Sequence, residues 1–364
     1  MLEKKLISNF RDFVIDKSDY FIHNYKNQKG KNRWNIICSA MDWITVGVEN
    51  INTIEFKSNN TSELYKDILL LISMTDVILE SVTQLSRVIP DATNHIVTSN
   101  NIFSRNDFCD DLKHFKHTRA VFGAHPVNLN PSQNKDDRWY AAWPYQGYDY
   151  NYDLQAYLYP LDTDEEMKIF GVNIEEIENY SKLIYGNLVK LQECISLEFE
   201  NYIKRLNKVT IEYSGNVLED INLASDKVKQ RLPNTYIESR LNEIKLYFNT
   251  ISTLDVNKDV VNFFLRQVEV AFENIKESIQ KLDYSDVEDD KIFSPTVPQE
   301  YQYEFNEYFS VLEGEYVLHE HQYFETISNV LGDYVSIRNE MTYNEKKLLI
   351  NAGLCAMNCK EDVR

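Results

Sequence analysis

Glycine and proline are scarce in this chain, 10 and 8 among 364 residues. A fold of many short strands needs them at its turns, so the scarcity argues against an all-β protein and for long helices. Cysteine is scarce too. Cys38, Cys109, Cys194, Cys355 and Cys359 form an odd, scattered set without a CxxC pair, which argues against a disulfide framework and points to a reducing compartment. No leader pattern and no uninterrupted apolar run of spanning length is read, so a soluble, cytoplasmic protein without a membrane partner is expected. Basic charge is also short: 38 Lys and Arg stand against 57 Asp and Glu, a net charge of −19. Phosphate neutralisation needs Lys and Arg, so that balance speaks against nucleic acid for the chain as a whole. The deficit is uneven, however. Residues 1–160 hold 17 basic and 19 acidic residues, whereas residues 161–364 hold 21 and 38. The acidity belongs to the C-terminal half, and the N-terminal half is near neutral.

What the chain has is apolar and aromatic residues, 43% and 13%, enough for one large core or two, and its length favours two domains. Leu6, Phe10, Phe13, Val14 and Phe21 predict a first helix over roughly 2–26. A polar, basic connection around Gly30 follows, carrying Lys29, Lys31 and Arg33. Trp34, Ile37, Met41, Ile44, Val48 and Ile51 recur at three and four, giving one seam on a helix over roughly 34–56. Ser62 is a candidate N-cap for a third helix, carrying Leu64, Ile68, Leu71, Thr75, Ile78, Val82 and Leu85 and ended by Pro90. Three striped helices on short loops predict an antiparallel bundle lacking a fourth member. Phe108, Leu112, Phe115, Ala120, Val121 and Phe122 supply it, over roughly 106–124.

Aromatic runs then predict a β-hairpin over about 137–160, the only strand-like part read. Its tyrosines and tryptophans either cover a core or stack bases. A helical pattern resumes from Asp162, with Asn173 capping a long helix that carries Ile177, Tyr180, Ile184, Leu188, Leu191, Ile195 and Phe199. Further helices are expected at roughly 216–231, 235–253, 257–282, 300–330 and 343–357. The reading is a mostly α chain: a bundle with an appended hairpin over 1–208, then an acidic helical domain over 209–364.

Chemistry concentrates in the stretch from His114 to Pro126, which holds three of the seven histidines. Five residues separate Arg119 from His125. In a regular helix they lie about 240° apart, but Pro126 pushes His125 out of the α region, onto an unwound last turn. One reading makes both residues helix-end cations that cap and pair. The other makes them a catalytic pair: imidazole moves a proton, and guanidinium holds a phosphate and its transition-state charge. Asp76 and Glu80, with Glu49, His117 and His125, contain ingredients of a bundle metal site, but the Glu-x-x-His pairs of such sites are missing. Neither metal nor cofactor is expected. His319 and His321 point to different helix faces, and no histidine follows Arg338-Asn339, so the acidic half holds no second copy of the pair.

Arg119 and His125 at the end of the last core helix of a small antiparallel bundle resemble the signature of the HEPN superfamily, an Arg, four to six residues and a His. The stretch Thr118-Arg-Ala-Val-Phe-Gly-Ala-His-Pro-Val-Asn128, followed by an aromatic hairpin, looks like a bacterial subgroup of it. The resemblance covers residues 1–208 at most. It implies a dimeric, metal-independent RNA endonuclease in which Arg119 and His125 of two protomers meet at one groove, and a role as toxin or effector of phage defence. The chain departs from the family in placing Ala120 and Val121 after the Arg, where a polar residue is usual, which makes His117, Thr118 and His114 secondary candidates. Lys116, Lys29, Lys31 and Arg33 are the candidate RNA contacts. The expected partners are RNA, a second copy of the chain, and a protein bound through the acidic half; a non-catalytic interaction module is the competing expectation.

Overall fold

Apolar spacing in the N-terminal half is realised as helices, and the places where it is interrupted are places where buried aromatics need a new direction. In the computed structural model, which describes residues 1–56, 60–92, 101–104, 110–124, 129, 138–145, 152–161, 164, 166–288, 291–314 and 319–361, the chain divides into two units, Met1–Asn201 and Tyr202–Arg364. The fold is mostly α with one small antiparallel sheet.

The first unit begins with α1 (Lys4–Ile15) and α2 (Ser18–Tyr25), so the single helix expected over 2–26 is two. Lys17 leaves helical geometry at φ −111° and ψ 20°, with its ammonium 3.9 Å from the centre of the Phe13 ring. That break lets Phe10 and Val14 before it, and Tyr20, Phe21 and Tyr25 after it, all bury. The basic connection closes as a two-residue turn: Lys29 and Gly30 have φ of 54° and 75°, and Gln28 and Lys31 exchange backbone hydrogen bonds. Positive φ at both central residues is the type I′ geometry, which glycine at the second position makes inexpensive.

Helix α3 (Trp34–Ile51) is shorter than the expected 34–56, because Asn52 turns its amide onto the backbone N–H and carbonyl of Leu2. Helix α4 (Thr61–Val88) is capped by Asn60, which accepts from the Ser62 N–H at 2.9 Å, so Ser62 is not the cap. Among the described residues α4 is the one helix long and apolar enough to cross a membrane, a property the sequence reading did not assign to it. Half of that apolar stretch is buried inside the protein. The backbones of α3 and α4 come close at Gly47, where a Cβ would stand 2.7 Å from Ile78 Cγ1. Helix α5 (Asp111–Arg119) continues into a π turn, Ala120–Ala124, where one uniform helix over 106–124 was expected; residues 105–109 lie outside the described residues.

Strands β1 (Trp139–Ala141) and β2 (Leu154–Pro160) pair as the antiparallel hairpin, Trp139 opposite Pro160. A third strand, β3 (Lys168–Val172), pairs with β2, Leu154 opposite Val172, so the helical pattern expected to resume from residue 162 is corrected to a strand. Its reason lies in side chains distant in sequence. Phe170 turns toward α5, 4.9 Å from the His117 ring, and Gly171 admits the Tyr152 ring where any Cβ would collide. Helix α6 (Ile174–Asn207) then packs Tyr180 on Phe115 at 4.9 Å, and its Tyr185 hydroxyl donates to the Glu3 carbonyl and accepts from the Ile7 N–H.

The second unit contains α7 (Val217–Arg231), α8 (Thr235–Asn249), α9 (Lys258–Lys281), α10 (Ser285–Glu288), α11 (Gln302–Leu312), α12 (Glu320–Val330) and α13 (Tyr343–Glu361). Its core gathers Phe264, Val268, Phe272 and Ile275 of α9 with Leu348, Leu349 and Ala352 of α13. Helix α8 stops at Asn249 rather than near 253, because Thr250 is extended and its hydroxyl donates to the Leu246 carbonyl. The helix expected over 300–330 is two, α11 and α12, with Gly314 at φ 92° and His319 at φ 69° between them.

Replacing Gly47 with Val puts a branched side chain against Ile78. We expect a loss of about 1–3 kcal/mol of unfolding free energy, read as a lower urea midpoint at unchanged slope.

Candidate functional site

Helix α4 presents Tyr65, Leu69 and Asp76 at spacings of four and seven, which brings them onto one stripe within about 40° of each other. Antiparallel to that stripe run α5 and the π turn. At one end Arg119 Nη1 donates to both carboxylate oxygens of Asp76, at 2.9 and 2.8 Å. In the middle Gly123 lies against Leu69; a Cβ there would stand 3.1 Å from Leu69 Cδ1. At the other end the Tyr65 hydroxyl donates to the Phe122 carbonyl at 2.9 Å. A π turn shifts hydrogen bonding from i→i+4 to i→i+5 and is frequently found at functional sites. Here an α4 side chain supplies a donor to one of its carbonyls.

The start of α5 is tied down as firmly. Asp110 caps it through the N–H groups of Leu112 and Lys113, and the Asp111 carboxylate accepts from the N–H groups of Ile102 and Phe103. These bonds fix the rotation of the helix, and with it the direction of each candidate side chain. His114 turns inward and stacks on Phe103 with centroids 4.4 Å apart. Thr118 is fully buried, its hydroxyl donating to the His114 carbonyl at 3.0 Å. His117 is half-buried, edge-on to Phe170. Lys116 is exposed, and Arg119 keeps 38% of its side chain exposed against 19% for Asp76. Lys116, His117 and Arg119 stand in the last α turn of α5, just before the π turn.

Of the candidates, then, Arg119 and Lys116 face outward together, His117 sits at the rim, and His114 and Thr118 belong to the core. His125 lies outside the described residues. Lys29 and Lys31 are exposed and Arg33 is half-buried, on the connection between α2 and α3, a different element from α5. Asp76 pairs with Arg119, Glu49 and Glu80 are exposed, and no three His, Cys, Asp or Glu side chains among the described residues form a metal-holding group.

Two features were not found from the sequence, the π turn and the Tyr65 hydroxyl beneath it; Trp143 was among the hairpin aromatics expected to cover a core or stack bases. The Trp143 ring lies 5.1 Å from the Tyr65 ring and is 69% exposed. Gly123 beside two bulky apolar residues was the available signal for a close approach; nothing in the spacing signals Tyr65. Compared with family models, curated proteins and solved structures, the chain gives no match.

Converting Tyr65 to Phe removes the hydroxyl donated to the Phe122 carbonyl and little else. A loss of about 1 kcal/mol in urea unfolding is expected, with faster amide hydrogen exchange confined to residues near the π turn.

Proposed function

We propose that this chain is a metal-independent RNA endonuclease of HEPN type, acting in the cytoplasm as a homodimer, with Arg119 as phosphate ligand and His125 as general acid and base. The observation that carries the reading is the placement of Arg119. It is a half-exposed guanidinium at a helix end, oriented by Asp76 and followed at once by a π turn leading to His125. Asp76 engages Nη1, and a guanidinium has five N–H donors in a fixed fork, which suits a second, bidentate anion such as a phosphodiester.

In this mechanism one imidazole takes the proton of a ribose 2′-hydroxyl as its oxygen attacks the adjacent phosphorus. The 5′-oxygen leaves and takes a proton, giving a 2′,3′-cyclic phosphate and a 5′-hydroxyl. Arg119 stabilises the additional negative charge on the phosphoryl oxygens of the transition state. Exposed Lys116, one turn before Arg119, adds positive charge for the backbone, and Trp143 offers a base a stacking face. Lys29, Lys31 and Arg33 serve as further backbone contacts. A toxin or phage-defence role, with the acidic half binding a protein partner, follows from the same reading.

The second reading, a non-catalytic interaction module, is favoured by the same ion pair taken as structural: Arg119 already has a carboxylate partner. Purified wild type, His125→Ala and Arg119→Ala chains incubated with total RNA in EDTA separate the two. Cleavage by wild type leaving cyclic phosphate ends, reduced at least about 100-fold in either variant, is the expected outcome. Equal inertness of all three at high concentration, with unchanged circular dichroism, would establish the interaction module instead.

A further inference from the structure

Away from α5, the second unit holds a cleft of about 440 Å³ between α9, the segment following α10, and α13. That volume is in the range that encloses a small molecule. Its polar lining is built from Gln267 and Asn274 of α9, Lys291, and Asn358 of α13, whose amide donates to the Thr296 carbonyl and holds α13 to that segment. Two thiols share the cleft. Cys355 and Cys359 are one turn apart on α13, both free, hydrogen-bonded to each other, the first buried and the second exposed.

Their environments divide the chemistry between them. Burial first, then the neighbouring sulfur, pushes the Cys355 thiol up to about 12, so it remains S–H at neutral pH. Cys359 is then the exposed sulfur of the two, the one an incoming molecule can reach. Around it stand three carboxamides, which match the donors and acceptors of a peptide-like molecule, and one ammonium, which matches a carboxylate.

We propose that this cleft is a thiol–disulfide exchange site in which Cys359 is modified by a small, carboxylate-bearing, peptide-like thiol presented as its symmetrical disulfide. The Cys359 thiolate attacks one sulfur of the bound disulfide. A bond forms between Sγ and that sulfur, the original S–S bond breaks, and the second thiolate leaves and is protonated by solvent. One disulfide is consumed and one is made, so no further oxidant is required. Lys291 holds a carboxylate of the incoming molecule, and the Cys355 thiol stands one turn from the attacking sulfur.

Oxidised glutathione and the neutral bis(2-hydroxyethyl) disulfide serve as probes on the full chain, followed by intact mass and peptide mapping. Glutathionylation at Cys359 is expected before any at Cys38, Cys109 or Cys194. Lys291→Ala is expected to slow it about tenfold, the worth of one hydrogen bond to a charged group, while leaving the rate with the neutral disulfide unchanged. Lys291 is exposed, so the variant folds, and a circular dichroism melt verifies it. Equal rates at all four cysteines, or a Lys291→Ala chain that glutathionylates Cys359 as fast as wild type, would overturn the proposal.

Discussion

Helix α4 has to be buried on two sides at once, and the placement of everything around the candidate site depends on that. One side presents Ile78 to Gly47 of α3. About 200° around the helix, Asp76 faces Arg119 of α5. Ile68, Leu71, Ile72, Ile78 and Leu85 are essentially inaccessible to solvent, and each such side chain contributes about 1.5–3 kcal/mol. A half-exposed ion pair contributes roughly 0.2–1 kcal/mol. Apolar burial therefore holds α4 in place, and the Asp76–Arg119 contact orients a guanidinium without being needed for stability. A polar group can serve chemistry where packing already supplies the scaffold.

Elements specified by local pattern were legible in the sequence; those specified by distant partners were not. The stripe Val261, Phe264, Val268 and Ile275 announces α9, because a 3.6-residue period is written in neighbouring residues. β3 is five residues containing a glycine, and it is a strand because β2 pairs with it and Tyr152 covers Gly171. The break between α1 and α2 falls inside a continuous apolar pattern at Lys17, with neither glycine nor proline to mark it. The end of α11, by contrast, is marked by Gly314, a left-handed glycine just past the cap that the apolar pattern on either side outweighed. At the site, the chemical residues stood out by type and spacing. Their directions did not, since His114 and Thr118 also carry polar groups yet face the core once Asp110 and Asp111 fix the rotation of α5.

The acidity of the second half is similarly divided once it is folded. Asp220 and Glu345 are buried, and both are spent on backbone. Asp220 accepts from the N–H groups of Ser214 and Gly215, and Glu345 from the Thr253 N–H and hydroxyl. Buried carboxylates need such donors, and here they close the turns that precede α7 and α9. The excess negative charge that reaches solvent is therefore smaller than composition suggests, though still sufficient to repel polyanions at low salt. On the endonuclease reading that repulsion favours confining RNA to the near-neutral first half.

The same reading sets a condition on Asp76. A carboxylate bound to Arg119 competes with a phosphate for the guanidinium, and also reduces the net positive charge the phosphate meets. Were the pair deeply buried, removing or sharing Asp76 would leave a desolvated charge and cost several kcal/mol. With Arg119 38% and Asp76 19% exposed, solvent screens the exchange and the cost falls toward the roughly 1 kcal/mol of a surface pair. Both Asp76 oxygens also take the same nitrogen, Nη1, so a phosphate can approach the rest of the fork without displacing the carboxylate. On the endonuclease reading Asp76 is thereby suited to hold Arg119 in position before RNA arrives and to stay beside it afterwards, which would let Arg119 be at once an ion-pair partner in the resting fold and a phosphate ligand during the reaction.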